Sequence, residues 1–193
     1  MDDPRYVRNA GDRCYYCKSE LFSRLQPLAV REGFTHVAYG LIADDLTDFR
    51  PGRRAAEEAG ARAPLAEAGF TKDEVRAASR ALGLPTWDRP ASPCLSSRLP
   101  YGTPVTEEAL RRVEAAEAAL RALGFVEYRV RHLGADARVE IAAAELPRLL
   151  DATVREAVVA AVREAGYREV VLDSEGYRRG RLNEVLPVVV ARG

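Results

Sequence analysis

The sequence predicts a mixed α/β protein, with a parallel α/β unit over residues 1–102 and a smaller α+β unit over residues 103–193. Three observations carry this. Before residue 84 the pattern runs helix, short buried strand, helix. Between Pro85 and Pro104 there are five prolines in twenty residues, which excludes a helix or a sheet interior. After Thr106 the pattern changes to helix, hairpin, helix, strand. The chain is 47% hydrophobic and 30% charged, enough to bury a core and stay hydrated, and this balance excludes a coiled coil, a disordered tail and a collagen-like fibre.

Taken in order, Cys17 to Glu32 places Leu21, Leu25 and Leu28 at helical spacing, and Gly33 ends the run. His36 to Ile42 is short, apolar and bounded by turn residues, as a buried strand would be. Asp44 to Gly52 reads as an acidic loop closed by Pro51-Gly52. Thr71 with Glu74 three residues on forms a capping box for a helix that stops at Gly83, and Pro85 forbids its return. The neck that follows holds Cys94, Ser96, Ser97 and Arg98, unusual content for a plain linker.

In the second half Thr106 caps a helix ended by Gly124, with Leu110, Val113, Leu120 and Leu123 as its apolar stripe. Val126 to Leu133 and Ala137 to Ile141 alternate like paired strands around Gly134-Ala135-Asp136. A helix over about 152–165 and a strand from Glu169 to Asp173 complete a unit expected to pack its helices on one face of an antiparallel sheet. No internal repeat or low-complexity segment interrupts the chain.

Lysine plus arginine, 29, cancels aspartate plus glutamate, 29, so no global basic field recruits nucleic acid. No apolar run of about 18 residues spans a membrane. The start, Met1-Asp2-Asp3-Pro4-Arg5, has no signal-peptide pattern, so a cytoplasmic location is expected. Three cysteines are an odd number for a secreted disulfide framework and fit metal ligands or reactive thiols better.

The residues able to do chemistry form a short set. Cys14-Tyr15-Tyr16-Cys17 puts two thiols three residues apart where a loop runs into a helix. A zinc pair, a redox dithiol and half of an iron–sulfur site all fit that spacing. Cys94 stands eighty residues from Cys14 in the proline-rich loop; a free cysteine is most often a small buried hydrophobe, but the rigid loop and neighbouring serines count against that here. Structural zinc would need His36 or His132 as a fourth ligand, whereas three thiolates on a cubane cluster leave one iron open. Asp44, Asp45 and Asp48 follow the expected strand, where open sheets bind ligands; they are candidate magnesium ligands or an ordinary solvated turn. Glu117 falls on the apolar stripe of its helix, costly for a carboxylate without a cation or ligand, unless Ala116 takes the core position. Arg129 and Arg131 share a strand face roughly 6.5–7 Å apart, a separation suited to gripping one phosphate. Gly176-Tyr177-Arg178-Arg179-Gly180-Arg181 adds three more guanidiniums on a loop.

From Asp12 to Asn183 the sequence resembles the LarE family of ATP-dependent sulfur transferases of nickel-pincer nucleotide assembly. The words that carry the resemblance include Asp48-Phe49-Arg50-Pro51-Gly52 and Glu58-Ala59-Gly60-Ala61-Arg62. The most specific runs from Ala91 through Pro93-Cys94-Leu95-Ser96-Ser97-Arg98 to Tyr101-Gly102, and Val130-Arg131, Leu172-Asp173 and Gly176 to Asn183 follow in order. The resemblance implies an N-type ATP pyrophosphatase domain, Rossmann-like with a parallel sheet, whose C-terminal part is residues 1–102. Residues 103–193 would be a small substrate and oligomerisation domain. The implied activity is adenylation of a carboxylate of a pyridinium dicarboxylate mononucleotide with ATP and Mg²⁺, then replacement of the activated oxygen by sulfur. A homo-oligomer is also implied.

Two departures matter. The family's glycine-rich S-G-G-[IV]-D-S loop, which cradles the ATP phosphates, does not occur in these residues, so the chain is expected to begin after it, without part of the nucleotide-binding sheet. Ungapped alignment puts Pro93 where one branch of the family sacrifices a cysteine, with Cys94 one place along. Cys14, Cys17 and Cys94 are instead spaced like the branch whose three cysteines hold a 4Fe–4S cluster. By motif match, Ser97, Arg98, Glu117, Arg129, Arg131, Glu140, Arg178 and Arg181 are expected at the substrate or phosphate site. Two other readings stay open: a tRNA thiolase of the same superfamily, against which the neutral charge counts, and a non-catalytic metal-binding module. Iron with labile sulfide favours the transferase; stoichiometric zinc favours the module.

Overall fold

The computed structural model describes residues 1–48 and 50–178. Within them the elements run α1 (Pro4–Val7), α2 (Arg13–Arg31), α3 (Pro51–Glu58), α4 (Pro64–Glu67), α5 (Lys72–Ala81), α6 (Glu107–Ala122), β1 (Tyr128–Leu133), β2 (Asp136–Ile141), α7 (Ala152–Glu164) and β3 (Val170–Leu172). Short 3₁₀ turns cover Ala43–Thr47, Leu95–Arg98 and Leu146–Leu150. The chain forms two compact units, one of Ala10–Ala91 and one of Met1–Asn9 with the chain from Ser92 onward. No helix among the described residues is long and apolar enough to cross a membrane.

The unit of residues 10–91 is built on α2 and α3, whose packing buries Phe22, Ala55 and Ala56. Helix α2 begins four residues before the apolar spacing starts, so the Cys-x-x-Cys motif lies inside its first turns and not in a loop ahead of it. Gly52 lets the start of α3 approach it closely: a Cβ there would lie 2.9 Å from Lys18 Cγ and 3.2 Å from the Cys14 carbonyl oxygen. Helix α5 has the expected cap, with Thr71 Oγ1 accepting from the Glu74 amide and Glu74 accepting from the Thr71 amide. The strand expected over 36–42 is reduced to a single parallel bridge, Ala38 with Arg62, closed by two hydrogen bonds. Only that neighbouring segment pairs with it among the described residues, and a ladder needs a longer run of partners.

In the other unit, β1 and β2 pair antiparallel with Leu133 opposite Asp136, so Gly134-Ala135 is a two-residue turn. Strand β3 pairs parallel with β2, making the order β1-β2-β3 a mixed sheet and correcting the antiparallel expectation. The reason is α7, which carries the chain back across the sheet so that β3 runs alongside β2. One sheet face presents Tyr128, Val130, Ala137, Val139 and Ile141 to Ala116 and Leu120 of α6 and Val158 and Val162 of α7, and this is the main core. Leu99, Val105, Ala109 and Val113 form a smaller cluster at the start of α6.

The expected boundary at residue 102 falls inside this unit. Asn9, fully buried, donates from Nδ2 to the carbonyls of Pro100 and Thr103 at 2.8 Å, and the amides of Gly102 and Val105 donate to Asn9 and Val7. Tyr6 Oη and Ser96 Oγ are 2.6 Å apart. The first nine residues are thereby stitched to the loop that follows Cys94.

Candidate functional site

The period-two rule gives the sheet two faces, and the face turned from the core is charged: Arg129 and Arg131 on β1, Arg138 and Glu140 on β2. Arg129 stands opposite Glu140, and Arg131 opposite Arg138. Arg131 donates from Nε and Nη2 to Glu140 Oε2 at 2.9 and 2.7 Å, and Glu140 is 1% exposed. The guanidinium of Arg129 lies 4.7 Å from the ring centroid of Tyr177. Arg178, next in the chain, is exposed and reaches Glu175 at 3.4 Å. Arg181 lies outside the described residues.

The Cys94 loop is brought onto this face. Arg131 Nη1 donates to the Ser97 carbonyl oxygen at 3.0 Å, so one guanidinium ties loop and sheet. Cys94 itself is exposed and opens the 3₁₀ turn Leu95–Arg98, with the Ser97 amide donating to its carbonyl at 2.9 Å.

Arg98, 2% exposed, is the hub of the loop. Nε and Nη2 each donate to one carboxylate oxygen of Glu117 at 2.8 Å. Nη1 donates to the carbonyls of Pro93 at 2.7 Å and Cys94 at 3.2 Å and to Ser97 Oγ at 2.9 Å. Glu117 also accepts the Val130 amide at 3.1 Å, which joins α6 to β1. The carboxylate on the apolar stripe therefore has its cation, and Ala116 and Glu117 are both buried.

Cys14 and Cys17 belong to the other unit. Both are exposed, lie outside any disulfide and, three residues apart on α2, face the same side of the helix. Arg13 Nη2 stands 3.9 Å from Cys14 Sγ. These thiols suit a shared soft metal or cluster in their chemistry. Within each unit, no three His, Cys, Asp or Glu side chains among the described residues converge as a metal site. Asp44 accepts the Lys72 amide at 2.8 Å, at the start of α5, and Asp45 pairs with Arg50 at 2.6 Å while accepting the Ile42 amide at 3.4 Å.

His132 is turned into the core, its Nδ1 3.1 Å from Tyr167 Oη. Burial holds its pKa below the usual histidine value, with Arg112 adding to the effect, and burial pushes the Tyr167 phenol up to about 12. Sequence reasoning missed Arg138 and Tyr177 as members of the charged face. Alternation applied to β2 would have found Arg138; the stacking of Tyr177 had no sequence signal.

Comparison with known proteins adds an independent finding. The chain is 41% identical over 186 residues to the pyridinium-3,5-bisthiocarboxylic acid mononucleotide synthase of Lactiplantibacillus plantarum, covering 96% of this chain and 67% of that protein. It is 47% identical over 186 residues to an uncharacterized protein of Synechocystis sp., covering 96% and 69%. An uncharacterized protein of Methanocaldococcus jannaschii is 27% identical over 174 residues, covering 90% and 67%. No family model matches the chain.

Proposed function

Since the chain belongs to the LarE family of pyridinium-3,5-bisthiocarboxylic acid mononucleotide synthases, we propose that it is a cytoplasmic sulfur transferase of nickel-pincer nucleotide assembly. It takes a carboxylate of a pyridinium dicarboxylate mononucleotide, activates it with ATP and Mg²⁺ as an acyl-adenylate with loss of pyrophosphate, and exchanges the adenylate for sulfur with release of AMP. Activation is required because a carboxylate is a poor electrophile, and AMP supplies the leaving group.

The observation that supports this reading is the hydrogen bond from Arg131 to the Ser97 carbonyl, which ties the Cys94 loop to the arginine face of the sheet. There Arg129, Arg131 and Arg178, with Ser97, hold the phosphate of the mononucleotide, a dianion suited to guanidinium forks. Glu140 keeps Arg131 extended along the face. Cys94, three residues before Ser97 in the same loop, is the residue from which sulfur would be delivered.

By resemblance to the family's three-cysteine branch, and not by any observed convergence, Cys14, Cys17 and Cys94 are the residues that would hold a 4Fe–4S cluster. When bound, a cluster with three thiolate ligands leaves one iron open to carry an exogenous sulfide. Asp44 and Asp45 are the candidate magnesium ligands, and binding of Mg²⁺ there would require release from Lys72 and Arg50. The working form is a homo-oligomer without nucleic-acid or membrane partners.

The test is anaerobic incubation of the protein with mononucleotide, ATP, Mg²⁺ and sulfide, with a parallel arm using a prepared acyl-adenylate. Thiocarboxylate in either arm supports sulfur insertion. Stoichiometric zinc with no thiocarboxylate in either arm refutes it in favour of a metal-binding module, and sulfur incorporated into tRNA instead refutes it in favour of a tRNA thiolase.

A further inference from the structure

Arg98 has the guanidinium geometry of a ligand-gripping residue, yet its donors are turned inward. It donates five hydrogen bonds to protein atoms, two to Glu117 and three to the loop of Pro93, Cys94 and Ser97. At 2% exposure it has no open face for a phosphate. A fully buried Arg–Glu pair adds little net stability relative to well-packed apolar side chains. What this pair does uniquely is fix the two carbonyls that flank the Cys94 Cα from the direction of α6. Glu117 in turn is fixed by the Val130 amide, so the chain of contacts runs from β1 through Glu117 and Arg98 to the backbone of Cys94. Val130 lies between Arg129 and Arg131, the anchors of the charged face.

We propose that Arg98 and Glu117 are positioning residues that set the place of Cys94 relative to the arginine face, and that they do not themselves contact substrate. This rests on the sulfur-transfer reading of Cys94. The distance between the sulfur carrier and the phosphate anchor is then set by one buried pair, and sulfur delivery depends on its two-sided grip. A lysine at position 98 keeps the charge that Glu117 needs. Its single ammonium cannot reach both carboxylate oxygens and both carbonyls, because it lacks the planar fork. Charge and placement are thereby separable.

The experiment compares Arg98→Lys and Glu117→Gln with the parent protein, with Arg111→Lys, in an exposed pair on α6, as control. Hydrogen exchange is read at the Ser97 and Leu99 amides of the loop and at the Val139 and Ile141 amides of the sheet. The expected result is loop exchange faster by about tenfold or more in both variants, with the sheet unchanged. Thiocarboxylate formation falls by about 100-fold in kcat at unchanged KM for the mononucleotide.

Parental loop exchange in both variants would overturn the proposal. So would equal loss of protection in loop and sheet, which makes the pair a stability element, or a raised KM at unchanged kcat, which makes it a substrate contact. A parent protein with neither thiocarboxylate nor iron refutes the sulfur-transfer reading instead, and the exchange pattern then still reports whether the pair fixes the loop.

Discussion

Arg131 donates to the Ser97 carbonyl oxygen at 3.0 Å while holding Glu140 at 2.7 Å, so a single side chain joins the Cys94 loop, β1 and β2. Glu140 is 1% exposed, and Arg131→Ala takes from this buried carboxylate the two donors at 2.9 and 2.7 Å. Urea denaturation should show a loss of about 3–5 kcal/mol, and Arg131→Met with Glu140→Leu should recover most of it. A single-variant loss of about 1 kcal/mol or less, the size of an exposed pair, would contradict this assignment.

Gly52 sits where α3 meets the carbonyl of Cys14. In Gly52→Ala the Cβ would meet Lys18 Cγ and that carbonyl, and neither is the loose end of a side chain. The expected cost is about 1–3 kcal/mol of overpacking. If these thiols hold iron as proposed, iron retained per chain should fall with it, because the first two turns of α2 carry Cys14 and Cys17. Full iron binding at parental stability would show that the approach is not constrained.

Gly176 has φ +72°, and a Cβ there would lie 2.5 Å from the Ile141 carbonyl oxygen. Replacement by alanine combines left-handed backbone strain with a backbone clash and should move the next residue, Tyr177, off Arg129. The check is affinity for inorganic phosphate by calorimetry, expected to weaken in Gly176→Ala. Unchanged affinity would remove the Tyr177 loop from the proposed anion site.

His132 contributes a pH dependence with a definite sign. Its folded pKa lies below the unfolded value of about 6.5, so the folded state binds fewer protons. Its contribution to stability is complete above about pH 6.5 and is lost as pH falls from there through the depressed folded pKa. Thermal midpoints at pH 8 and pH 5 should therefore differ more in the parent than in His132→Gln. An equal drop in both proteins would assign the acid sensitivity elsewhere.

What the sequence made legible follows from the range of the interaction. Caps and periodicity are local, so Thr71 with Glu74, the stripe of α6 and the β1–β2 hairpin could be read directly. Pairing between distant segments is not local. The run 36–42 has strand composition but meets only the Arg62 segment, and β3 runs parallel to β2 because α7 carries the chain back. The site shows the same division. Alternation put Arg129 and Arg131 on one face, and the apolar stripe marked Glu117 as needing a cation. Nothing in the sequence identified Arg98 as that cation, because the fit of a 3₁₀ turn against α6 exists only in three dimensions.

The central claim is that Cys14, Cys17 and Cys94 survive repeated sulfur transfer. Intact-mass analysis after anaerobic turnover with mononucleotide, activated by ATP or supplied as the acyl-adenylate, and added sulfide tests it most directly. The account predicts unchanged chain mass, more than one thiocarboxylate per chain, and equal loss of activity in Cys14→Ala, Cys17→Ala and Cys94→Ala. A sacrificial route would break the Cβ–S bond of Cys94 and remove H₂S, leaving dehydroalanine and a chain lighter by about 34 Da. That mass loss at Cys94, with one product per chain, would contradict the account.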